Sequence, residues 1–245
     1  MLIMPLISNN FFLSEIFGAT LILGTIALSL MFLAGYGGMV SLMQLTLAGF
    51  AGYMAAVFGV SGSANISLFW PWWLAAPMAM ALATLFGTIG GALAVRTEGI
   101  YTIMITLAIG AAFYFFTNQN WAIFNGHTGI NGVPAPAFWG VDWRADIPFY
   151  YLTLAVAAVC FFAVTYVGRA PFGLALQGIR DNPRRMAALG FNVRAHRIAA
   201  YAFASFIAAL AGVLQVWNYH QIAPGSVSPD RCIDVLIMAI VGGVS

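Results

Sequence analysis

Uncharged apolar runs divide this chain. They cover residues 16–35, 40–60, 70–95, 99–117, 149–168 and 198–217. A helix rises about 1.5 Å per residue, so runs of about 20 residues match a hydrocarbon core about 30 Å thick. A seventh run starts near Ile233 and is still apolar at Ser245. The pattern predicts an all-α fold, a polytopic transmembrane helix bundle with six complete spans and a truncated seventh. It forms one transmembrane domain over 1–245, and the sequence reads as cut off inside the seventh helix. The apolar stretch at 2–7 reads as the tail of a membrane helix. No basic segment precedes it, so no cleavable signal is expected.

The links between runs differ. Gly35-Tyr36-Gly37-Gly38 is a tight joint, 61–69 is short and uncharged, and 96–99 is a four-residue turn. Residues 118–148 form a long loop rich in Gly, Pro, Asn and Trp. Residues 168–197 form the basic loop, and 218–230 are short and polar.

Composition agrees with a bilayer. Of the 245 residues 62% are hydrophobic and 7% charged, against about 25% charged in a soluble domain. That excludes a soluble enzyme and a nucleic-acid binder. All nine basic residues are Arg. Without Lys there is no phosphate-binding loop of the GxxxxGK[ST] type and no Schiff-base chemistry. Any ATP-driven step needs a separate chain.

Arg placement predicts orientation. Arg169, Arg180, Arg184, Arg185, Arg194 and Arg197 share loop 168–197 with one acid, Asp181. Such an excess marks a cytoplasmic loop. Alternating spans then put Arg96 in the cytoplasm, and 118–148 and the N-terminus outside. Within the basic loop, 182–190 reads as a short capped helix. Asn182 is the cap, Pro183 the first helical residue and Gly190 the left-handed stop. Met186 and Leu189 share a face flanked by Arg184 and Arg185. Two turns are unstable alone. The helix either lies on lipid headgroups or docks on a cytosolic partner.

Candidate chemistry is sparse. Ser41, Gln44, Thr46, Thr84, Thr102, Thr106 and Gln215 lie in apolar runs. They read either as interhelical hydrogen bonds or as contacts to a substrate's ammonium or carboxylate. Ser41 and Gln44, three apart beside the Gly-rich joint, lead the second reading, with Thr102 and Thr106 along the same path. A broken helix exposes N–H groups that favour an anion. His127, His196 and His220 stand apart, and Cys160 and Cys232 lack metal spacing, so neither a metal nor a cofactor is expected. His196 reads as solvated or headgroup-facing. Asp234 is either functional or an interfacial charge beside Arg231. Glycines inside spans, such as Gly87, Gly90 and Gly91, predict close helix packing.

Four stretches resemble one family. The run from Ala170-Pro171-Phe172-Gly173 through Ile179-Arg180-Asp181-Asn182 to Ala188-Leu189-Gly190-Phe191-Asn192-Val193 is similar to the cytoplasmic loop of branched-chain amino acid ABC transporter permeases. Gly35-Tyr36-Gly37-Gly38 with Ser41-Leu42, Gly49 and Tyr53, Gly99-Ile100-Tyr101 through Thr106-Leu107-Ala108, and Gly126-His127-Thr128-Gly129 through Pro134 resemble further family segments in the same order. The pattern is closer to the M-type subunit than to the H-type. Gln44 stands where the family usually has His, Met39 where it has Gln, and Ala111 where it has Glu. In the loop Gln177 replaces an Arg and Arg184 a Glu.

The resemblance implies a permease subunit in the bacterial inner membrane, with 168–197 cytoplasmic and 118–148 periplasmic. It is not an enzyme. It implies a second, H-type permease subunit, cytosolic ATP-binding subunits seated on the coupling loop, and a periplasmic substrate-binding protein. Arg180, Asp181, Asn182, Arg184, Arg185, Met186, Leu189 and Gly190 are the coupling residues. Trp121, Trp139 and Trp143 become interface anchors or part of a docking surface for the binding protein. The expected cargo is a branched-chain or related amino acid. The alternatives are a permease of the same family for urea or short amides, and a secondary transporter or channel with no ATPase.

Overall fold

The computed structural model describes residues 12–62, 67–97, 99–138, 141–142 and 146–243. The apolar stretch at 2–7, Glu98 of the 96–99 turn, and Trp139, Trp143 and Arg144 of the long loop lie outside them.

A π-helical turn, Phe12–Gly18, leads into α1 (Ala19–Gly37). Helices α2 (Gln44–Phe58), α3 (Trp72–Ala94) and α4 (Ile100–Gln119) follow. A single turn, α5 (Trp121–Phe124), opens the long loop. Then come α6 (Asp146–Arg169), α7 (Pro171–Asp181), α8 (Pro183–Ala188), α9 (Val193–Tyr219) and α10 (Pro229–Val241). The fold is an all-α bundle. Among the described residues five helices are long and apolar enough to cross a membrane: Glu15–Gly37, Trp72–Ala94, Ile100–Gln119, Ile147–Arg169 and Val193–Tyr219.

The expected span 40–60 needs correcting. Only Gln44–Phe58 is helical, about 22 Å long at 1.5 Å per residue. The chain from Gly38 to Met43 is not helical, yet Ser41, Leu42 and Met43 are buried. Apolarity alone cannot separate a buried extended stretch from a buried helix. The seventh run begins earlier than expected, at Pro229, because Pro suits the first turn.

Helix α9 is the central post, packed against α1, α2 and α3. Small residues let these helices approach. A Cβ on Gly212 would overlap the Ala48 carbonyl oxygen and come within 2.6 Å of the Ala48 Cα. One on Gly87 would strike the Ser205 side chain, and one on Gly91 the Tyr201 ring. This is the packing expected for the span glycines. Helices α3, α4 and α6 turn large apolar side chains outward, among them Leu85, Met104, Phe162 and Tyr166. That surface suits lipid, and the chain is a multi-pass membrane protein.

The two ends of the bundle are distinct. At one end the C-termini of α1 and α3 and the N-termini of α4 and α9 gather against α7 and α8. At the other, β1 (Ile130–Asn131) pairs antiparallel with β4 (Gln221–Ile222), joining the long loop to the turn after α9. Strands β2 (Ala137–Phe138) and β3 (Val141–Asp142) form a second small ladder in that loop. The Gly62 N–H donates to the Asn131 carbonyl at 2.8 Å, tying in the 61–69 link. The loop is therefore fastened to the bundle at Ile130, Asn131 and Val133.

Most hydroxyls inside the spans serve their own helix. Thr25, Thr84, Thr88 and Ser205 donate to the carbonyl four residues back at 2.6–2.8 Å. Of these only Thr84 was among the span residues expected to bond between helices or contact a substrate, and it bonds back within its own helix instead.

Candidate functional site

The site begins where α1 stops. Gly38 has φ +64, which a left-handed helix end requires. Its N–H donates to the Ala34 carbonyl, and that of Met39 to the Leu33 carbonyl, closing α1 as a C-terminal cap. The chain then crosses the bundle interior without helical bonds. Buried backbone donors in such a stretch need other partners. The Leu42 N–H donates to Thr106 Oγ1 of α4 at 3.2 Å, and the Met43 N–H to Ser41 Oγ at 3.4 Å.

Polar side chains collect around this break. Ser29 of α1, Ser41, Gln44, Thr46 and Thr106 are all fully buried. The Ser29 hydroxyl lies 2.6 Å from the Ile26 carbonyl and 3.3 Å from Gln44 Oε1. One proton cannot serve both, and the shorter contact holds it. The Gln44 amide nitrogen has no hydrogen-bond partner within the described residues, and neither does the Tyr201 hydroxyl of α9. Ser41 sits beside that hydroxyl. Thr46 Oγ1 meets Cys232 Sγ of α10 at 3.7 Å, so four helices converge on the break. Unpartnered buried polar atoms are costly and rare. Their presence together, at the open N-terminus of α2, gives this region capacity to bind a small polar solute.

Of the predicted path residues, the structure brings Ser41, Gln44 and Thr106 together. Thr102 lies toward the basic-loop end. Its hydroxyl donates to the Thr97 carbonyl at 2.9 Å and fastens the α3–α4 turn. It lines a cleft of about 280 Å³ with Gly38, Val40, Ile103, Pro183 and Arg197. That cleft separates the break from α8. Ser29 and Tyr201 escaped sequence reasoning. A lone Ser or Tyr in an apolar run carries no pattern, and only the fold sets them beside Gln44.

The basic loop is a pair of helices. Helix α8 ends as expected: the Asn182 side chain accepts from the Arg185 N–H at 3.0 Å, Pro183 opens the helix, and Gly190 has φ +90. Helix α7 was not foreseen. It packs Ala175, Leu176 and Ile179 into the bundle. Arg180 Nη1 donates to the Gly35 carbonyl in the last turn of α1, and Nε pairs with Asp181 at 3.0 Å. A cation suits the negative end of a helix. Gly38 faces the Arg180 stem, where a Cβ would come within 2.5 Å of Arg180 Cγ. Arg180 thus clamps α7 to the joint that starts the break.

Met186 and Leu189 take different roles despite their shared face. Met186 is half-buried against Gly178 of α7, whereas Leu189 is 65% exposed. Arg184 and Arg185 are exposed as well. His196, expected to be solvated or headgroup-facing, is partly exposed. It stacks on Phe172 and meets the edge of Phe191, with Nδ1 2.9 Å from the Asn192 carbonyl. Cys160 and Cys232 are free and buried. Among the described residues no three His, Cys, Asp or Glu side chains gather.

The family model described as branched-chain amino acid transport system / permease component matches residues 12–245. The chain belongs to that family. It is similar to the high-affinity branched-chain amino acid transport system permease protein LivM of Escherichia coli, 23% identical over 242 residues, covering 89% of this chain and 54% of that one. It is 27% identical over 171 residues to a probable branched-chain amino acid transport permease protein LivM of Methanocaldococcus jannaschii, covering 68% and 49%. It is also 27% identical over 229 residues to the autoinducer 2 import system permease protein LsrD of an Enterobacter species, covering 91% and 65%. The chain spans about half the length of the LivM relatives it matches. No solved structure matches.

Proposed function

We propose that this chain is the membrane permease subunit of an ATP-driven importer of branched-chain or related amino acids. The observation that carries the reading is the buried polar break. The Gln44 amide nitrogen and the Tyr201 hydroxyl place unmet hydrogen-bonding capacity inside an otherwise apolar bundle, with Ser41 beside that hydroxyl. The membership of the family and the names of the LivM relatives support an amino acid as cargo.

The proposed mechanism couples two layers. Cytosolic ATP-binding subunits seat on Arg184, Arg185 and Leu189 of α8. The loop 168–197 then faces the cytoplasm of the inner membrane, and 118–148 faces the periplasm and a substrate-binding protein. A second, H-type permease subunit completes the pathway. Force on α8 passes through α7 to Arg180, Gly35 and the joint at Gly38. That joint is the start of the break, so movement of α7 reshapes the polar cluster and the cleft below it. Transport then follows alternating access. The chain has no Lys for a phosphate loop, so ATP hydrolysis falls to the partner subunits.

A second reading is an importer of a neutral polar solute. The uncharged character of the break cluster and the autoinducer 2 relative favour it. Uptake by vesicles holding the full-length subunit and its neighbouring transporter chains separates the two. ATP-dependent accumulation of leucine supports the amino acid importer. Accumulation of urea or a neutral polyol without leucine replaces it with the second reading. Accumulation of either without the ATPase chains refutes the coupling.

A further inference from the structure

A separate cleft opens at the end of the bundle opposite α7 and α8. It encloses about 370 Å³ between α1, α9, α10 and the turn at 221–226. That volume suits a small metabolite. Its walls combine two kinds of surface. Ile22, Leu45 and Met238 are apolar, whereas Gln215, Arg231 and Asp234 are polar.

Arg231 and Asp234 are the informative pair. They lie three residues apart on α10, on one face, with Cβ atoms about 5–6 Å apart. The favoured order for a pair in that relation is acid before base, and in α10 the base comes first. Here neither forms an ion pair or a side-chain hydrogen bond among the described residues. Both line the same concavity and both are exposed to it. Arg231 also acts electrostatically on the Tyr219 hydroxyl at the cleft's edge, as does Glu15 from the start of the chain. A charge pair held apart over an apolar floor is complementary to a molecule with both charges and an apolar tail.

We propose that this cleft is an outer receiving subsite for a zwitterionic α-amino acid with an aliphatic side chain. Arg231 takes the carboxylate, as a planar donor fork does well. Asp234 takes the ammonium group, and Gln215 supplies a neutral hydrogen bond. Ile22, Leu45 and Met238 cover the side chain. The cleft borders Leu45, the neighbour of Gln44, so the subsite adjoins the break from the outer side. The assignment rests on the amino acid importer reading and sharpens it. A neutral solute has no use for a separated charge pair.

The test uses the full-length subunit assembled with its partner chains in vesicles, with leucine as probe. Arg231→Gln and Asp234→Asn each raise the leucine KM about ten-fold or more, the loss expected for one charged hydrogen bond, while maximal uptake per assembled complex is retained. Arg231→Lys and Asp234→Glu bring KM back toward the wild-type value, which a packing role would not do. Where a neutral variant lowers the amount of complex, KM is read on the complex that remains. The doubly exchanged Arg231→Asp, Asp234→Arg variant, with net charge unchanged, is then expected to show the same rise. Leucine uptake with unchanged KM in the neutral and exchanged variants overturns the subsite and leaves the importer reading standing. Wild-type vesicles that accumulate no amino acid overturn both.

Discussion

Replacing Gln44 by Met separates a binding role from a structural one. The side chain is 1% exposed, and its amide nitrogen has no partner within the described residues. A buried polar group left unpaired costs about 1–3 kcal/mol. Its one polar contact, to Ser29, is long at 3.3 Å and contributes about 1 kcal/mol at most. Ser29 keeps its 2.6 Å bond to the Ile26 carbonyl when Gln44 is gone. Met fills nearly the same volume without a polar atom to satisfy. The balance favours the variant by about 0–2 kcal/mol, a rise in Tm of up to roughly 8 °C for a chain of this size. Thermal unfolding of the purified full-length subunit in detergent measures that term, and leucine uptake in vesicles measures the other. The expectation is a Tm unchanged or raised and uptake reduced at least ten-fold. A Tm lowered by several degrees would show that the amide is a structural group. A raised Tm with normal uptake would show that the cluster is not on the path.

Further expectations follow from the packing and the loop. Gly212→Ala forces α2 and α9 apart by about 1 Å, costs about 1–3 kcal/mol, and lowers Tm, whereas Gly24→Ala, with nothing within 4 Å of its added methyl, does not; equal shifts would discount the close crossing. Arg180→Met keeps the stem on Gly38 but removes the guanidinium from the Gly35 carbonyl. Because the Arg180 side chain is 43% exposed, stability falls by only about 1 kcal/mol, while solute moved per ATP hydrolysed drops sharply. An unchanged ratio would rule out the clamp as the transmission point. Leu189→Asp changes stability by less than about 0.5 kcal/mol, as surface changes do, yet releases the ATP-binding subunits during affinity purification.

The membrane spans were legible because apolar runs of helical length have few other uses. Runs 70–95 and 99–117 lie within a few residues of α3 and α4. The break was legible at the Gly-rich joint, but its length, from Gly38 to Met43, was not. Met39, Val40, Leu42 and Met43 are as apolar as their helical neighbours, and only the Gly37-Gly38 pair hinted at a stop. Helix α7 was not read from the sequence, because Pro171, Gly173 and Gly178 are poor helix formers. In the fold Pro171 occupies the first turn, where its missing N–H is harmless. Gly173 and Gly178 stand where the Gly168 backbone and the Met186 side chain approach. The cap on α8 was readable from Asn182, Pro183 and Gly190 because capping is local chemistry. The parting of Met186 from Leu189 was not, since it depends on α7. Ser41 and Gln44 were picked out by their place beside the joint. Their neighbours Ser29, Thr106 and Tyr201 come from three other helices, and only the fold brings them together.

The central claim is that an ATPase engaged on α8 drives an amino acid through the polar break. Proteoliposomes containing the full-length subunit with its partner permease, ATP-binding subunits and binding protein test it most directly. Labelled leucine is followed with ATP present and absent, in the wild type and in Gln44→Met. The account predicts ATP-dependent leucine accumulation that the variant loses while its ATP-binding subunits stay bound. Leucine accumulation that needs no ATP, or that persists undiminished in Gln44→Met, would contradict it.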